Sequence, residues 1–330
     1  MGRHEAAAIL PADLRARLAD WGEVVGGDTA DPAERAGRAE QAERADVLIT
    51  GWGSPPLTET FLARAPRVRV VLHAAGSVKW LVTDAVWERD IVVSSAAEAN
   101  AGPVADYALA AITFAAKKAV TTASAYAASA AWPGFTEREG GDGRTVGVIG
   151  ASRIGRLVLK RLVLERLATT DTGCRVLLYD PYVSAAEAAR LGAEAVDLDE
   201  LCGSSSVITL HAPEVPETRH MLDAHRLALI PDGGTVVNTA RGSLIDTESL
   251  VRECASGRLN AFLDVTEPEP LPAGHPLFSL PNVLVTPHIA GAQGSEVRRL
   301  GKWVVEEAAR WMRGLPLSGR VKREDLCRLA

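Results

Sequence analysis

Cysteine is scarce in this 330-residue chain: Cys174, Cys202, Cys254 and Cys327 are scattered, with no C-x-x-C spacing. That pattern excludes a disulfide frame and a cysteine-based zinc site, leaves no metal centre to expect, and fits isolated thiols in a reducing compartment. Aromatic residues are also few, at 5%. Long apolar runs are missing. The run from Tyr107 to Ala116 ends at Lys117 and Lys118, well short of the roughly 20 residues a membrane helix needs, so no membrane partner is expected. No stretch near Met1 joins basic residues to an apolar core and a small-residue cleavage site, and a cytoplasmic protein is the expectation. Positive charge is in deficit, with a net charge of −6. Nucleic acid is thereby disfavoured as a partner, because phosphate binding needs clustered cations. What is present is ordinary for a globular protein, 47% hydrophobic and 24% charged. At roughly 150 residues per domain the length suggests two domains.

The first hundred residues alternate helical and strand patterns. Leu14, Leu18 and Trp21 share a helix face, and residues 46–50, 68–72 and 91–94 read as short buried strands. A long helix is expected next, with Asn100 as its cap, Pro103 in its first turn, and Val104, Ala108, Ala111 and Ala115 at helical spacing. The Gly-rich segment 137–143 breaks it. From Thr145 the rhythm is strand, helix, strand, with strands expected at 145–149, 175–179, 206–210, 235–238, 261–264 and 283–285, and a last helix at 299–312. Short β-branched strands joined by crossovers imply an α/β fold, a parallel sheet covered by helices on both faces.

The strand at 145–149 runs into Gly150-Ala151-Ser152-Arg153-Ile154-Gly155, which opens a helix. This is a dinucleotide fingerprint with serine at its middle glycine. Gly150 permits the tight turn, Gly155 lets helix and strand pack closely, and the N–H groups at the helix start attract a pyrophosphate. Ser152 crowds that pyrophosphate with its Cβ, while its hydroxyl could hydrogen-bond a phosphate oxygen. The next strand ends at Asp180, a little farther past Gly155 than the usual spacing of about 20, with residues 168–173 as the extra loop. A carboxylate there accepts from ribose hydroxyls and repels a 2′-phosphate, which selects NAD over NADP.

Three polar residues stand at the ends of apolar strands. Arg241, in Asn238-Thr239-Ala240-Arg241-Gly242, points where α/β sheets bind ligands, and its fork can grip a carboxylate; alternatively it pairs with Asp246. Glu269 is flanked by Pro268 and Pro270, which restrict its backbone; alternatively it belongs to an acidic surface loop. His288 follows the strand at 283–285, and a glutamate hydrogen-bonded to it would favour the imidazolium, preparing a general acid; alternatively it is a satisfied core residue. His211 is read as shaping the cofactor cleft, His73 is a secondary candidate, and His4, His220, His225 and His275 read as loop or surface residues.

With these segments in place the chain resembles the D-isomer-specific 2-hydroxyacid dehydrogenase family. The matching stretches, in the family's order, are 147–155, Tyr179-Asp180-Pro181, Leu210-His211-Ala212-Pro213 with Glu217-Thr218, 238–242, 263–272 and 286–291. The resemblance implies two Rossmann-like domains with a cofactor cleft between them: a discontinuous, flavodoxin-like substrate domain (1–101 and 292–330) and an inserted NAD-binding domain (102–291). It implies that Arg241, Glu269 and His288 are the catalytic set, with Glu269 preferred to Glu267 because the family's acid precedes the proline five residues after the strand-end Asp264. The implied cofactor contacts come from Gly150, Ser152, Arg153, Ile154 and Gly155 with Asp180, from His211, Ala212, Pro213 and Thr218, from Thr239 and Ala240, and from Asp264, His288 and Gly291. Asp264 holds the nicotinamide carboxamide in this scheme. The substrate carboxylate falls to the N–H groups of Ala75 and Gly76, to Asn100 and to Arg241. The substrate loop departs from the family pattern, with Ala74 and Ala75 where Gly-Val is usual and no Asp-Asn after Gly76; Gln293 replaces a frequent threonine, and no clear apolar strand precedes Leu14. The implied activity is hydride transfer between NAD(H) and a small 2-oxo acid or D-2-hydroxy acid, of the glyoxylate or hydroxypyruvate reductase type. Competing readings are an unusual substrate, such as a phosphonate or bulky acid, with Trp52, Lys79 and Trp80 reshaping the pocket, or a non-catalytic NAD-sensing protein. A formate-oxidising relative is disfavoured, since that group carries glutamine at the position of Glu269. A homodimer is implied, with the helix after Pro103 as its contact.

Overall fold

The computed structural model describes residues 3–25, 42–131, 134, 138–163 and 174–328. The loop expected at 168–173, residue 137 and the side chain of Cys327 lie outside the described residues. The chain divides into two compact units, Met1–Ala101 with Ala292–Leu329, and Gly102–Gly291.

The first unit holds a sheet of β1 (Val47–Thr50), β2 (Val70–His73) and β3 (Val92–Ser95), all parallel, with the two-residue strand Arg320–Val321 antiparallel on β3. The parallel sheet thus carries one short antiparallel edge strand. Side chains alternate along each strand. Val70 and Leu72 face a layer made with Ile9, Leu14, Leu18 and helix Arg298–Met312, while Val71 and Val93 face Leu57, Leu62, Leu81 and Val86. The chain opens with helix Arg3–Ile9, not a strand, followed by helix Ala12–Ala19; Trp21 lies just past the second helix, under the guanidinium of Arg313. Glu307 is buried, and its carboxylate is satisfied by Ser94 Oγ (2.5 Å) and the N–H groups of Ser318 (2.9 Å) and Gly319 (3.0 Å), which ties the end of the chain to β3.

The second unit is built on seven parallel strands: β4 (Thr145–Ile149), β5 (Arg175–Tyr179), β6 (Glu194–Ala195), β7 (Val207–Leu210), β8 (Thr235–Asn238), β9 (Asn260–Leu263) and β10 (Val283–Val285), in the order β10-β9-β8-β7-β4-β5-β6. Val146, Val148, Val176, Leu178, Val237 and Phe262 pack on one face against Ala105, Ala108 and Ile112 and against Val158 and Leu162. Ile149, Leu177, Ile208, Val236 and Leu263 pack on the other, against Leu201, Leu227 and Leu250. The strand order reverses direction between β4 and β7, and such a switch point opens a ligand crevice at the carboxyl ends of the strands.

The long helix runs from Ala97 to Ala116 and so begins three residues before its expected cap. Asn100 is helical, its N–H bonded to Ala96 O at 3.0 Å, and Pro103 sits inside the helix. The asparagine is held there by another partner: its Oδ1 accepts from the Ala292 N–H at 2.9 Å. Ala108, Ala111 and Ala115 of this helix are buried in this unit's own core. Among the described residues no helix is long and apolar enough to cross a membrane, and no cluster of His, Cys, Asp and Glu could hold a metal ion.

Candidate active site

The carboxyl ends of β4 and β7 meet through backbone. Gly150 has φ +93°, and a Cβ on it would lie 2.6 Å from the Ala212 nitrogen. A Cβ on Gly155 would overlap the Gly150 carbonyl oxygen, so helix Arg153–Leu162 starts directly on the turn. Ser152 is the N-cap of that helix but does not cap it: its hydroxyl donates to the His211 carbonyl at 2.8 Å. The first turn of the helix, with Arg153 exposed and Ile154 half-buried, is thus uncapped by that side chain. Asp180, at the end of β5, reaches back to the turn. Its Oδ2 accepts from Ala151 N–H at 2.7 Å and its Oδ1 from Tyr182 N–H at 2.8 Å. Each oxygen retains a second acceptor position.

His211 lies beneath the turn. Its Nε2 meets Thr209 Oγ1 at 3.0 Å, its Nδ1 has no hydrogen-bond partner, and burial pushes the imidazole down to about 3. The buried ring is therefore neutral at pH 7. Ala212 is buried, and Pro213 opens a loop pinned by Thr218, whose Oγ1 contacts the carbonyls of Pro213 (2.7 Å) and Val215 (3.0 Å).

Three further strand ends on the same edge carry the polar set. After β8, Ala240 N–H donates to Asn238 Oδ1 (3.0 Å) and Asn238 Nδ2 to Arg241 O (2.7 Å), which closes a tight turn. Thr239 is buried there with its hydroxyl unpartnered. Arg241 folds its guanidinium onto the Ala240 carbonyl (2.6 Å). Burial pulls that guanidinium below its ordinary value, and the Glu214 and Glu269 carboxylates pull the other way. The alternative partner Asp246 is engaged elsewhere, as N-cap of helix Thr247–Ala255 through Ser249. Gly242 brings the turn against the next loop: a Cβ on it would overlap the Thr266 carbonyl. Sequence reasoning missed this glycine, whose signal is its place directly after the strand-end arginine.

After β9, the loop carries both candidate acids, and they separate. Glu267 pairs with Arg219 (2.7 Å) and with His220 (3.1 Å), which lies in a turn as expected. Glu269 Oε1 lies 2.7 Å from His288 Nδ1. The ionised carboxylate only accepts, which puts a ring proton on Nδ1. His288 has φ +54°, and its N–H bonds Asp264 O at 2.9 Å. The Asp264 side chain is buried. Its Oδ1 accepts from Thr286 Oγ1 (2.7 Å) and Ile289 N–H (2.8 Å), its Oδ2 from Ala290 N–H (2.9 Å). Most of its acceptor capacity thus orders the loop that ends at Gly291. The Tyr107 hydroxyl, 2.8 Å from Thr286 Oγ1, joins this network; neither residue was singled out from sequence.

In the first unit, Ala75 is buried with its carbonyl bonded by Ala96 N–H at 3.1 Å, and a Cβ on Gly76 would lie 3.4 Å from Asn100 Nδ2. Those substrate candidates are neighbours. His73, the secondary candidate, is buried with Nδ1 2.9 Å from Thr50 Oγ1, and burial pushes it down to about 4, so it is uncharged at neutral pH.

Comparison with known proteins gives a consistent result. D-3-phosphoglycerate dehydrogenase of Methanocaldococcus jannaschii is 33% identical over 280 residues, 83% of this chain and 51% of that protein. The chain spans about half the length of the D-3-phosphoglycerate dehydrogenases it matches. Glyoxylate reductase of Korarchaeum cryptofilum is 30% identical over 87% of this chain and 85% of its own length. The crystal structure of the TT0316 protein from Thermus thermophilus superposes with a TM-score of 0.77 at 32% identity, covering 95% of this chain and 97% of that one. Residues 110–290, from the long helix to the loop of His288, match the NAD binding domain of the D-isomer specific 2-hydroxyacid dehydrogenases, and the chain belongs to that family.

Proposed function

We propose that the chain is an NAD-dependent oxidoreductase acting between a small 2-oxo acid and its D-2-hydroxy acid, of the glyoxylate or hydroxypyruvate reductase type. The observation that carries this reading is the 2.7 Å contact of His288 Nδ1 with Glu269, with Arg241 in the field of the same carboxylate. NAD fits the residues present. The crevice between Gly150 and Ala212 has no room for a further Cβ, Asp180 keeps acceptor positions for ribose hydroxyls, and Thr239 offers a buried hydroxyl with no partner. Gly150 to Gly155 would hold the pyrophosphate at the helix start, with Ala212, Pro213 and Thr218 lining the same crevice and Asp264 and Gly291 beside the loop of His288. When bound, NAD(H) supplies or accepts the hydride.

The chain's own groups supply orientation and the proton. Arg241 grips the substrate carboxylate with its fork and polarises the neighbouring carbonyl. His288 gives a proton to the oxygen that becomes the hydroxyl and takes it back in the reverse direction, while Glu269 fixes its tautomer and aim. To the same reading belong Ala75, Gly76 and Asn100 as substrate groups, a cytoplasmic location and a homodimer. Helix Ala119–Ser129 supports the dimer, since it carries no charge and buries none of its residues. The test is loss of NADH absorbance by the purified chain with glyoxylate, hydroxypyruvate, pyruvate and longer 2-oxo acids. Turnover with one of them is the expected result; NADH binding without turnover on any would leave a non-catalytic NAD-sensing protein in its place.

A further inference from the structure

We infer that Tyr107 and Thr286 are positioning residues for His288, forming a phenol-to-hydroxyl-to-carboxylate chain that fixes the segment from which the imidazole projects. This role rests on the reading of His288 as the acid–base group. Thr286 Oγ1 lies between two partners, 2.8 Å from the Tyr107 hydroxyl and 2.7 Å from Asp264 Oδ1. An ionised carboxylate only accepts, so the threonine proton goes to Asp264 and the phenol proton to Thr286. The chain therefore runs one way. Burial raises the Tyr107 phenol above its ordinary range, against the opposing effect of the contact with Thr286, so the donor keeps its proton at neutral pH.

Asp264 is the hub. Its two oxygens take the N–H groups of Ile289 (2.8 Å) and Ala290 (2.9 Å), and its carbonyl takes that of His288 (2.9 Å). His288 and the two residues after it thus hang from one aspartate. Thr286 sets the rotamer of that aspartate, and Tyr107 sets the rotor of Thr286. His288 needs such holding for two reasons. Its φ of +54° is a sparsely populated conformation for a non-glycine residue, which persists only where surroundings enforce it. Its side chain is 52% exposed, so packing around the ring does not set its direction. Tyr107 is itself held edge-on to Phe262, with ring centroids 5.8 Å apart and an interplanar angle of 76°, on the strand that leads directly into Asp264.

The test compares the full wild-type chain with Tyr107→Phe, Thr286→Val and Thr286→Ser. Amide hydrogen exchange across residues 286–291 needs neither cofactor nor substrate. Losing one such hydrogen bond shifts a local opening equilibrium by about 5-fold, so exchange should rise by roughly that factor in Tyr107→Phe and by more in Thr286→Val. Turnover with NADH and the best 2-oxo acid should fall in parallel, with KM for the acid within about twofold, and Thr286→Ser should restore both. Unchanged exchange in Thr286→Val overturns the inference, as does faster exchange with unchanged kcat. If Thr286→Val fails to fold, Tyr107→Phe and Thr286→Ser carry the same comparison. A wild-type chain that turns over no 2-oxo acid overturns the proposed function instead, and the exchange result then decides by itself whether the chain holds the loop.

Discussion

Mild acid should destabilise this protein through two histidines that take no part in the proposed chemistry. His73 ends β2 in the first unit, and His211 follows β7 in the second; both are buried, and burial pushes them down to about 4 and about 3. An unfolded histidine titrates near 6.5. Between those values the unfolded chain binds a proton that the folded chain refuses, so stability rises with pH across the window. The contribution is fully present above about 6.5 and is lost as pH falls toward the folded values. A tenfold difference in proton affinity is about 1.36 kcal/mol, and at pH 5 the linkage relation gives a loss of roughly 2 kcal/mol for each histidine relative to pH 8. One lies in each unit, so each unit should weaken by that amount, a large share of a typical domain stability of about 5–15 kcal/mol. Urea unfolding followed by circular dichroism at pH 8, 6 and 5 measures it. His73→Gln and His211→Gln should each shrink the difference between pH 8 and pH 5 by about 2 kcal/mol, because glutamine keeps a polar contact and has no proton to gain. A wild-type urea midpoint that does not move between pH 8 and 5, or glutamine variants with the full wild-type dependence, would refute the reasoning.

At the proposed site, His288→Ala should lower kcat by roughly 10²–10⁴-fold with the fold intact, and Glu269→Gln, which keeps a hydrogen bond to the ring without the charge, by less. Wild-type turnover in His288→Ala would end the acid–base assignment. Arg241→Lys loses the planar fork while keeping a cation, so KM for the 2-oxo acid should rise about tenfold or more; an unchanged KM contradicts the carboxylate grip. In Gly155→Ala the new methyl meets backbone at the Gly150 carbonyl. Overpacking of that kind costs roughly 1–3 kcal/mol, and NADH affinity measured by fluorescence should fall with it. Wild-type values of both would show that the turn tolerates the methyl.

The strands of both units were legible because their signal is local. Most are short apolar runs rich in β-branched residues and bounded by turn residues, and all six strands read from Thr145 onward are present within a residue of their expected ends, while the two-residue β6 was not read. The helix start at Ala97 was not legible. Asn100 and Pro103 are strong local start signals, but the hydrogen bond that Asn100 accepts from the Ala292 N–H spans 192 positions and no short window contains it. The strand Arg320–Val321 was missed for the same reason. It is two residues long and owes its place to pairing with β3 and to the Glu307 carboxylate beside it.

The site shows the same division between local and distant causes. A parallel sheet delivers the carboxyl ends of β8, β9 and β10 to one edge, so three polar residues just past three apolar strands were bound to be neighbours once the strands were correct. Which atoms meet is a different question. Glu267 and Glu269 are two residues apart in the same Pro-rich loop; the family spacing preferred Glu269, and the contacts separate the two, since Arg219 and His220 engage Glu267 while His288 reaches Glu269. Gly242 decides how closely the arginine turn approaches that loop, because any side chain there would collide with Thr266. Ser152 carries the same lesson for the nucleotide turn, where its hydroxyl meets a carbonyl 59 positions away. Residue type at a strand end sets what chemistry the edge can support, and the backbone packed against it sets which of the available side chains performs it.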